Sequence, residues 1–417
     1  MALGWVDFSR SDRNRILSVL DMLSEKGTLD ELGISPVRDA FSNLFFPGTS
    51  TIQTRAKYFL IIPYVFKDIE RSNILTSASM LKELEAKERL CGQLFFDQEK
   101  ISQRTSMDNR NNYEGIIGKR SLTQGRWVAR APSEIYWAGI RTYGIFKEKF
   151  TISGYLNILS ELKNRRNTVK SLRKKINTDF ETDTDDADAG AVSLGNFWDI
   201  PTYHEDWFEQ LQFSMTSEEG AFLKQKIIAS NADSLIGYIL KHNLKELTLV
   251  DSFEKLKELL HILPAEIQED YLTASCFSDF SYALYTIFNL IVSDGNNKKA
   301  LSEWERVRNQ LSEVAQKVDL DRIFLDTRLK LFSRNQRLRL FLKSAKSMML
   351  AGDIDGLKKL IVSREMDLKG SRAKCSHKGE FSEEAWFGGG RLDYRYSNAR
   401  IIIRDIFESE AENVESL

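Results

Sequence analysis

Apolar residues along most of this chain recur at spacings of three and four, the period of a helix with one buried face. Ile16, Leu17, Leu20 and Leu23 form one such stripe, which Ser9 or Ser11 can cap and Gly27 ends. Val37, Ala40, Phe41 and Leu44 form a second, with Pro36 placed for its first turn and Pro47-Gly48 stopping it. Thr49, Ser50 and Thr51 then offer N-caps for a third helix ending near Pro63. A charged helix over residues 73–96 carries Leu81, Leu84 and Leu94. Beyond residue 216 the pattern predicts helices over 217–229, 232–242, 251–260, 264–272, 277–292, 297–317, 320–350 and 353–363. Thr216-Ser217-Glu218-Glu219 ahead of Phe222, Leu223 and Ile227 has the form of a capping box. No fixed-length repeat runs through these helices.

The period changes between residues 109 and 146. Gly115, Gly118 and Gly125 separate short segments, and Arg126-Trp127-Val128-Ala129-Arg130 alternates as a strand does. Pro132 and Ser133 start a short aromatic helix, Ile135-Tyr136-Trp137, ending at Gly144. The expected fold class is therefore mainly α: a multi-domain helical protein with a small, winged-helix-like α+β element around 109–146. Composition divides the chain further. Residues 1–150 form an N-terminal domain and residues 151–176 a basic helical connector, with Lys163, Arg165, Arg166, Lys170, Arg173, Lys174 and Lys175 against Glu161. Asp179, Glu181, Asp183, Asp185, Asp186 and Asp188 follow without a base, so residues 177–193 read as a self-repelling disordered linker. Residues 194–363 make a helical domain, and residues 364–417 a basic and aromatic segment with an acidic tail.

A length of 417 residues exceeds one ordinary core and suits two or three domains. A net charge of −1 excludes a globally basic nucleic-acid coat while leaving room for local basic faces. Cys91, Cys276 and Cys375 are widely spaced and odd in number, which argues against a disulfide scaffold and for a reducing compartment. The longest apolar run, residues 58–66, is about half of a bilayer span and contains Pro63. The expectation is a cytoplasmic protein with no membrane partner.

Three segments are candidates for chemistry. In residues 47–57, Gly48, Thr49, Ser50 and Thr51 line a turn leading into a helix N-terminus, with Gln53, Thr54, Arg55 and Lys57 adding donors. Free N–H groups and a partial positive charge there suit a phosphate. The bland alternative is helix capping, with Arg55 paired to an acid such as Asp39. No Gly-Lys-Ser/Thr follows, so an ATPase is unsupported. The second candidate is Arg328, Lys330, Arg334, Arg337, Arg339, Lys343 and Lys346, in a stretch without an acid from 327 to 352. Leu338, Phe341, Leu342, Ala345, Met348 and Met349 would pack beneath a basic flank made by Arg339, Lys343 and Lys346, available to a phosphate backbone. The third interleaves Arg391, Arg395 and other bases with Trp386, Phe387, Tyr394 and Tyr396 around Gly388-Gly389-Gly390, a combination that stacks bases or forms a docking tail.

Catalytic constellations are poorly supplied. His204, His242, His261 and His377 form no His-Glu-x-x-His pair, and Cys375 with His377 lacks further ligands nearby. No metal site, catalytic residue or cofactor is expected. Gly115-Ile116-Ile117-Gly118 is too short for a nucleotide loop.

Several stretches nevertheless resemble a known family. Leu3-Gly4-Trp5-Val6-Asp7-Phe8-Ser9, Asp30-Glu31-Leu32-Gly33-Ile34, Arg38-Asp39-Ala40-Phe41 and residues 45–60, Phe-Phe-Pro-Gly-Thr-Ser-Thr-Ile-Gln-Thr-Arg-Ala-Lys-Tyr-Phe-Leu, are similar to an uncharacterised bacterial domain-of-unknown-function family, number 6361. Gly115-Ile116-Ile117-Gly118 and Pro132-Ser133-Glu134-Ile135-Tyr136-Trp137 extend the likeness, which is dense over residues 1–145. The resemblance supplies no catalytic residues. It implies a setting beside helicases and nucleases in phage defence or mobile elements. The leading expectation is a non-catalytic, nucleic-acid-associated component of a bacterial genome-defence or DNA-processing assembly, with helicase or nuclease partners. The alternatives are a metal-dependent nuclease with scattered acidic ligands, and a protein-interaction scaffold that binds no nucleic acid.

Overall fold

The computed structural model describes residues 30–105, 113–179, 196–332, 335–381 and 384–411. The helix expected over residues 9–27, Arg334 and residues 180–193 of the expected linker lie outside the described residues. Among the described residues there are fifteen α-helices, short 3-10 turns and one isolated bridge between Phe146 and Trp198. The mainly α expectation holds. The small α+β element does not: residues 126–130 form no strand. Arg126 N–H turns back to the Ser121 carbonyl, and Trp127 and Val128 pack on the Gly118 turn. An extended segment without a ladder partner gains nothing from strand pairing.

The chain divides into two compact units, each built from discontinuous segments. The first takes in Gly48–Thr248 and Asn398–Leu417, the second Leu23–Pro47 and Leu249–Ser397.

At the centre of the first unit is the Tyr58–Arg71 helix, apolar and buried around nearly its whole circumference, from Phe59 and Leu60 to Val65, Phe66 and Ile69. Such a helix belongs in a core. Burial on every side also explains why it runs through Pro63 rather than ending there. Its C-terminal carbonyls find an unexpected partner. The ammonium of Lys163, 5% exposed, donates to Ile69 O, Ser72 O at 2.7 Å and Ile74 O at 3.3 Å. A cation suits that end of a helix, and burial lowers the Lys163 pKa. The Ile152–Asp179 helix that carries Lys163 also absorbs the expected basic connector and the first residues of the expected linker.

Phe66, Trp137, Phe146, Tyr155 and Trp198 pack beside this helix, with ring centroids 4.8 Å apart for Phe146–Trp198 and 5.2 Å for Phe66–Trp198. The polar atoms inside are matched: Tyr155 donates to Glu70 at 2.6 Å and accepts from Trp198 Nε1 at 2.9 Å. Thr216 and Glu219 form the capping box that the sequence indicated, at the start of the Ser217–Ser230 helix.

Glu88, on the Ser77–Thr105 helix, is 2% exposed; its Oε1 accepts Ser133 N–H at 2.6 Å, in the first turn of the Pro132–Thr142 helix. Its Oε2 is buried without a partner among the described residues. Desolvation pushes the carboxyl from 4.5 up to about 8. A raised folded-state pKa favours the protonated form, so this contribution to stability is full below 4.5 and is lost as pH rises through 8. Glu88→Gln keeps the acceptor and stays neutral. We expect the variant to be the more stable protein at about pH 9 and to show a flatter dependence of the urea midpoint on pH than the wild type. Parallel pH profiles for the two proteins would exclude this role.

In the second unit the Ala265–Val292 helix, buried at Phe277, Phe280, Leu284, Ile287 and Phe288, replaces the two helices expected over 264–292. Thr273-Ala274-Ser275-Cys276 contains no breaker, and continuous packing carries the helix through. The opposite correction applies to 320–350, which splits into Leu320–Leu325 and Gln336–Ala351. No glycine or proline announces that break. Within it Arg328 binds Asp326, Asp270 and Glu266 at once, and Lys330 takes a positive φ of 54°. Elsewhere in this unit Phe45, Phe253 and Tyr394 cluster, with centroids 5.4 and 5.0 Å apart across Phe253.

Candidate functional site

The turn at residues 48–57 does not cap a helix. The following helix starts at Tyr58 with Lys57 at its N-cap and no side-chain cap bond, so Thr49, Ser50 and Thr51 do not serve as caps. Gln53 holds the turn from inside, accepting Ser50 N–H and donating to Gly48 O, both at 3.1 Å. The Tyr136 hydroxyl accepts from Thr54 N at 2.8 Å and Arg55 N at 3.0 Å, and donates to Arg55 O. Thr54 Oγ1 donates to Gly115 O, and Tyr58 accepts Ile117 N–H. Three of the stretches that resemble the family, at residues 48–60, 115–118 and 132–137, are thus joined in one hydrogen-bonded knot.

The donors of this turn meet carboxylates of the same chain. Asp405, on the Tyr396–Ala411 helix, accepts Arg55 Nε at 2.9 Å and Ala56 N–H at 2.8 Å. Lys57 Nζ lies 2.9 and 2.7 Å from the two oxygens of Glu219. Arg55 is paired to an acid, as the capping alternative had it, but the acid is Asp405 and not Asp39. Lys57, Glu219 and Asp405 are buried and Arg55 is half-buried, and burial, outweighing Arg55, raises the Asp405 carboxyl above its ordinary value. Arg55 also covers the Phe213 ring at 4.8 Å, which stacks on Tyr113. Beside them opens a cleft of about 700 Å³ whose lining includes Gln98, Ser102 and Glu408.

The basic stretch of the second unit is not the unneutralised flank that its sequence suggests. Of its expected apolar face, Leu338, Phe341, Leu342, Ala345 and Met349 are buried and Met348 is half-buried. Asp321, however, binds both Arg339 at 2.7 Å and Lys343 at 2.6 Å, and Lys346 donates to Val318 O. Acids from neighbouring helices reach what the local sequence leaves uncompensated. Arg337 is exposed. Arg395 donates to Asn43 Oδ1 at 2.7 Å and lies 3.9 Å from Asp39.

The third candidate gains most. Asn289 exchanges two 2.8 Å hydrogen bonds with the Phe387 backbone, and Asn297 Nδ2 donates to Ala385 O at 2.7 Å. Residues on both sides of Trp386 are thereby pinned, and its indole stacks on Tyr282 with centroids 5.9 Å apart at 24°. Lys299 lies 4.8 Å over the Trp386 ring and Arg391 5.3 Å over Tyr282. With Arg306, Glu303 and Gln310 they line a cleft of about 500 Å³ in which three cations face one carboxylate. Arg391 is also paired with Asp279. The indole Nε1–H is buried without an acceptor among the described residues. Tyr282, Lys299 and Arg306 escaped sequence reasoning because they come from other helices and share no local pattern with Trp386. The cap residue Asn297 was the one available signal.

Among the described residues, no three His, Cys, Asp or Glu side chains group as a metal ion would require. None of the helices in those residues is long and apolar enough to cross a membrane.

Residues 1–172 match the model of a family described as "Family of unknown function (DUF6361)". This bears out the resemblance and carries it past residue 145, over a segment of the chain. Neither the curated proteins nor the solved structures contain a match.

Proposed function

We propose that the chain is a non-catalytic, nucleic-acid-associated component of a larger assembly, and that it holds a single strand at the Tyr282–Trp386 cleft. The observation that carries the reading is the stacked aromatic pair with Lys299, Arg306 and Arg391 around it. Aromatic faces stack bases of any sequence, while cations alongside neutralise the phosphates between them. The phosphate grip that the sequence suggested at residues 48–57 is not needed for this proposal, because those donors serve Asp405 and Glu219. Arg391 and Arg395 keep different roles here: the first borders the cleft, while the second ties down Asn43.

Fluorescence anisotropy with labelled single-stranded DNA, single-stranded RNA and duplex, over a range of salt, tests it. Single strands should bind more tightly than duplex, with log affinity falling linearly against log salt. Trp386→Ala should cost about 1–3 kcal/mol of binding free energy, the worth of one stacked base. Lys299→Ala and Arg306→Ala should each reduce the salt slope by about one unit. Undetectable binding at low ionic strength would sink the proposal. Unchanged affinity in a folded Trp386→Ala protein would move the interface elsewhere.

A further inference from the structure

A second cavity of this unit, about 630 Å³, shares no lining residue with the aromatic cleft. Arg38, Lys369, Arg372 and Lys374 line it against two carboxylates, Asp30 and Glu31. Both carboxylates are already engaged. Asp30 accepts the N–H groups of Leu32, Ile34 and Ser35 at 3.1, 2.8 and 2.6 Å, together with the Tyr285 hydroxyl at 3.0 Å. Glu31 Oε1 receives two ammonium groups, Lys369 at 3.1 Å and Lys374 at 3.0 Å. Two lysines on one carboxylate oxygen leave positive charge over, and Arg372 has no ion-pair partner among the described residues. Arg38 is paired with Asp39 at 3.0 Å, so four basic side chains stand against three carboxylates and the cavity keeps a cationic excess.

Gly388 and Gly389 also line it. Gly388 is required by packing: φ is +79°, and a Cβ there would lie 2.3 Å from the Tyr285 ring. Gly389 is not required in that way. Its φ is ordinary, and an added Cβ would meet nothing closer than Leu392 and Tyr285 at 3.9 Å. What the missing side chain does at 389 is leave the peptide uncovered beside the cations. Backbone amides together with Lys and Arg side chains are the donor set of a phosphoryl group, and the volume admits a nucleotide.

We infer that this pocket binds a phosphate monoester or oligophosphate through Arg38, Lys369, Arg372, Lys374 and the Gly388-Gly389 backbone. The group can come from a free nucleoside polyphosphate or from the phosphorylated end of a nucleic acid. The binding is independent of the Tyr282–Trp386 cleft.

Isothermal titration of the full chain with pyrophosphate, ATP, and oligonucleotides carrying a 5′-phosphate or a 5′-hydroxyl distinguishes the sources. At low ionic strength, saturable binding is expected for pyrophosphate and for one of the two larger ligands. ATP as the tighter ligand identifies a free nucleotide. An advantage of about tenfold or more for the 5′-phosphate over the 5′-hydroxyl oligonucleotide identifies a nucleic-acid end. Arg38→Ala combined with Arg372→Ala removes two exposed side chains and should weaken pyrophosphate binding about tenfold or more. Gly389→Ala should weaken it with an unchanged melting temperature. Trp386→Ala should leave pyrophosphate affinity unchanged while lowering that for unphosphorylated single strands, so the pocket and the cleft can fail separately. The inference is overturned by an absence of saturable binding to all these phosphates. It is equally overturned by affinity that ignores the arginine pair and Gly389→Ala, or by loss of pyrophosphate binding in Trp386→Ala.

Discussion

Replacing Asp405 by alanine is expected to lower the unfolding free energy of the first unit by about 3–5 kcal/mol, the cost of stranding one partner of a buried ion pair. The carboxylate serves Arg55 Nε and Ala56 N–H together. Its loss removes the carboxylate from the half-buried Arg55 side chain, 13% exposed, and the acceptor from the buried Ala56 N–H. The double variant Arg55→Met with Asp405→Leu should recover most of that loss, because well-packed apolar groups can replace a buried pair at little net cost. Urea denaturation followed by tryptophan fluorescence measures both, and a loss below about 1 kcal/mol in the single variant would refute the assignment. The double variant has a second use. If residues 48–57 contact nucleic acid after all, it will lose affinity while remaining folded; if the cleft at Trp386 is the contact, its affinity will match the wild type.

This pairing also shows where sequence reading reached and where it stopped. A turn rich in Gly, Thr and Ser followed by Arg55 and Lys57 suggests a phosphate site, whereas Arg55, the Ala56 N–H and Lys57 bind carboxylates. The anions are carboxylates of the same chain, one of them 350 residues away, and no local pattern encodes such a distance. Lys163 stands in the run of bases that defines the expected basic connector, yet its ammonium is the buried cap of a core helix. Conversely, the Leu338 to Met349 stripe and the Thr216–Glu219 box were legible because every contact that defines them lies within a few residues. The break before Gln336 has no glycine or proline to mark it, and the contacts found there, Arg328 with Asp270 and Glu266, are tertiary.

The same distinction applies to the aromatic cleft. Trp386 and Arg391 were visible as an interleaved cluster, which made a docking tail and a stacking surface equal readings. Asn289 and Asn297 decide how the segment lies, by fixing the backbone on either side of Trp386. The ring is then held against Tyr282 with Lys299 above it. A pre-positioned ring loses little conformational freedom when a base stacks on it, which is the physical advantage of such an arrangement for a sequence-tolerant contact.

The second large effect concerns a residue that no motif singled out. Gly139→Ala is expected to destabilise the first unit by about 3 kcal/mol, at the upper end of overpacking penalties. In the middle of a helix the same change ordinarily stabilises by about 0.5–1 kcal/mol, since alanine restricts the unfolded chain and favours the helix. At position 139 a Cβ would stand 2.3 Å from the Gly48 carbonyl oxygen and 2.7 Å from the Phe59 ring. A backbone oxygen cannot swing aside as a side-chain end can. Gly48 itself is held at φ +80°, with its own absent Cβ 2.6 Å from Tyr143, so the turn has no room to retreat. The two glycines let the 48–57 turn lie directly on the Pro132–Thr142 helix, which in turn sets the Tyr136 hydroxyl under Thr54 and Arg55. Gly92→Ala supplies the control. That position is also helical, and its added methyl would meet Leu122 and Trp127 at ordinary contact distances of 3.4 and 3.5 Å. Chemical denaturation should therefore give opposite signs for one and the same substitution, a loss at 139 and a small gain at 92. Equal effects at the two positions would mean that helix propensity, rather than the seating of the turn, governs both.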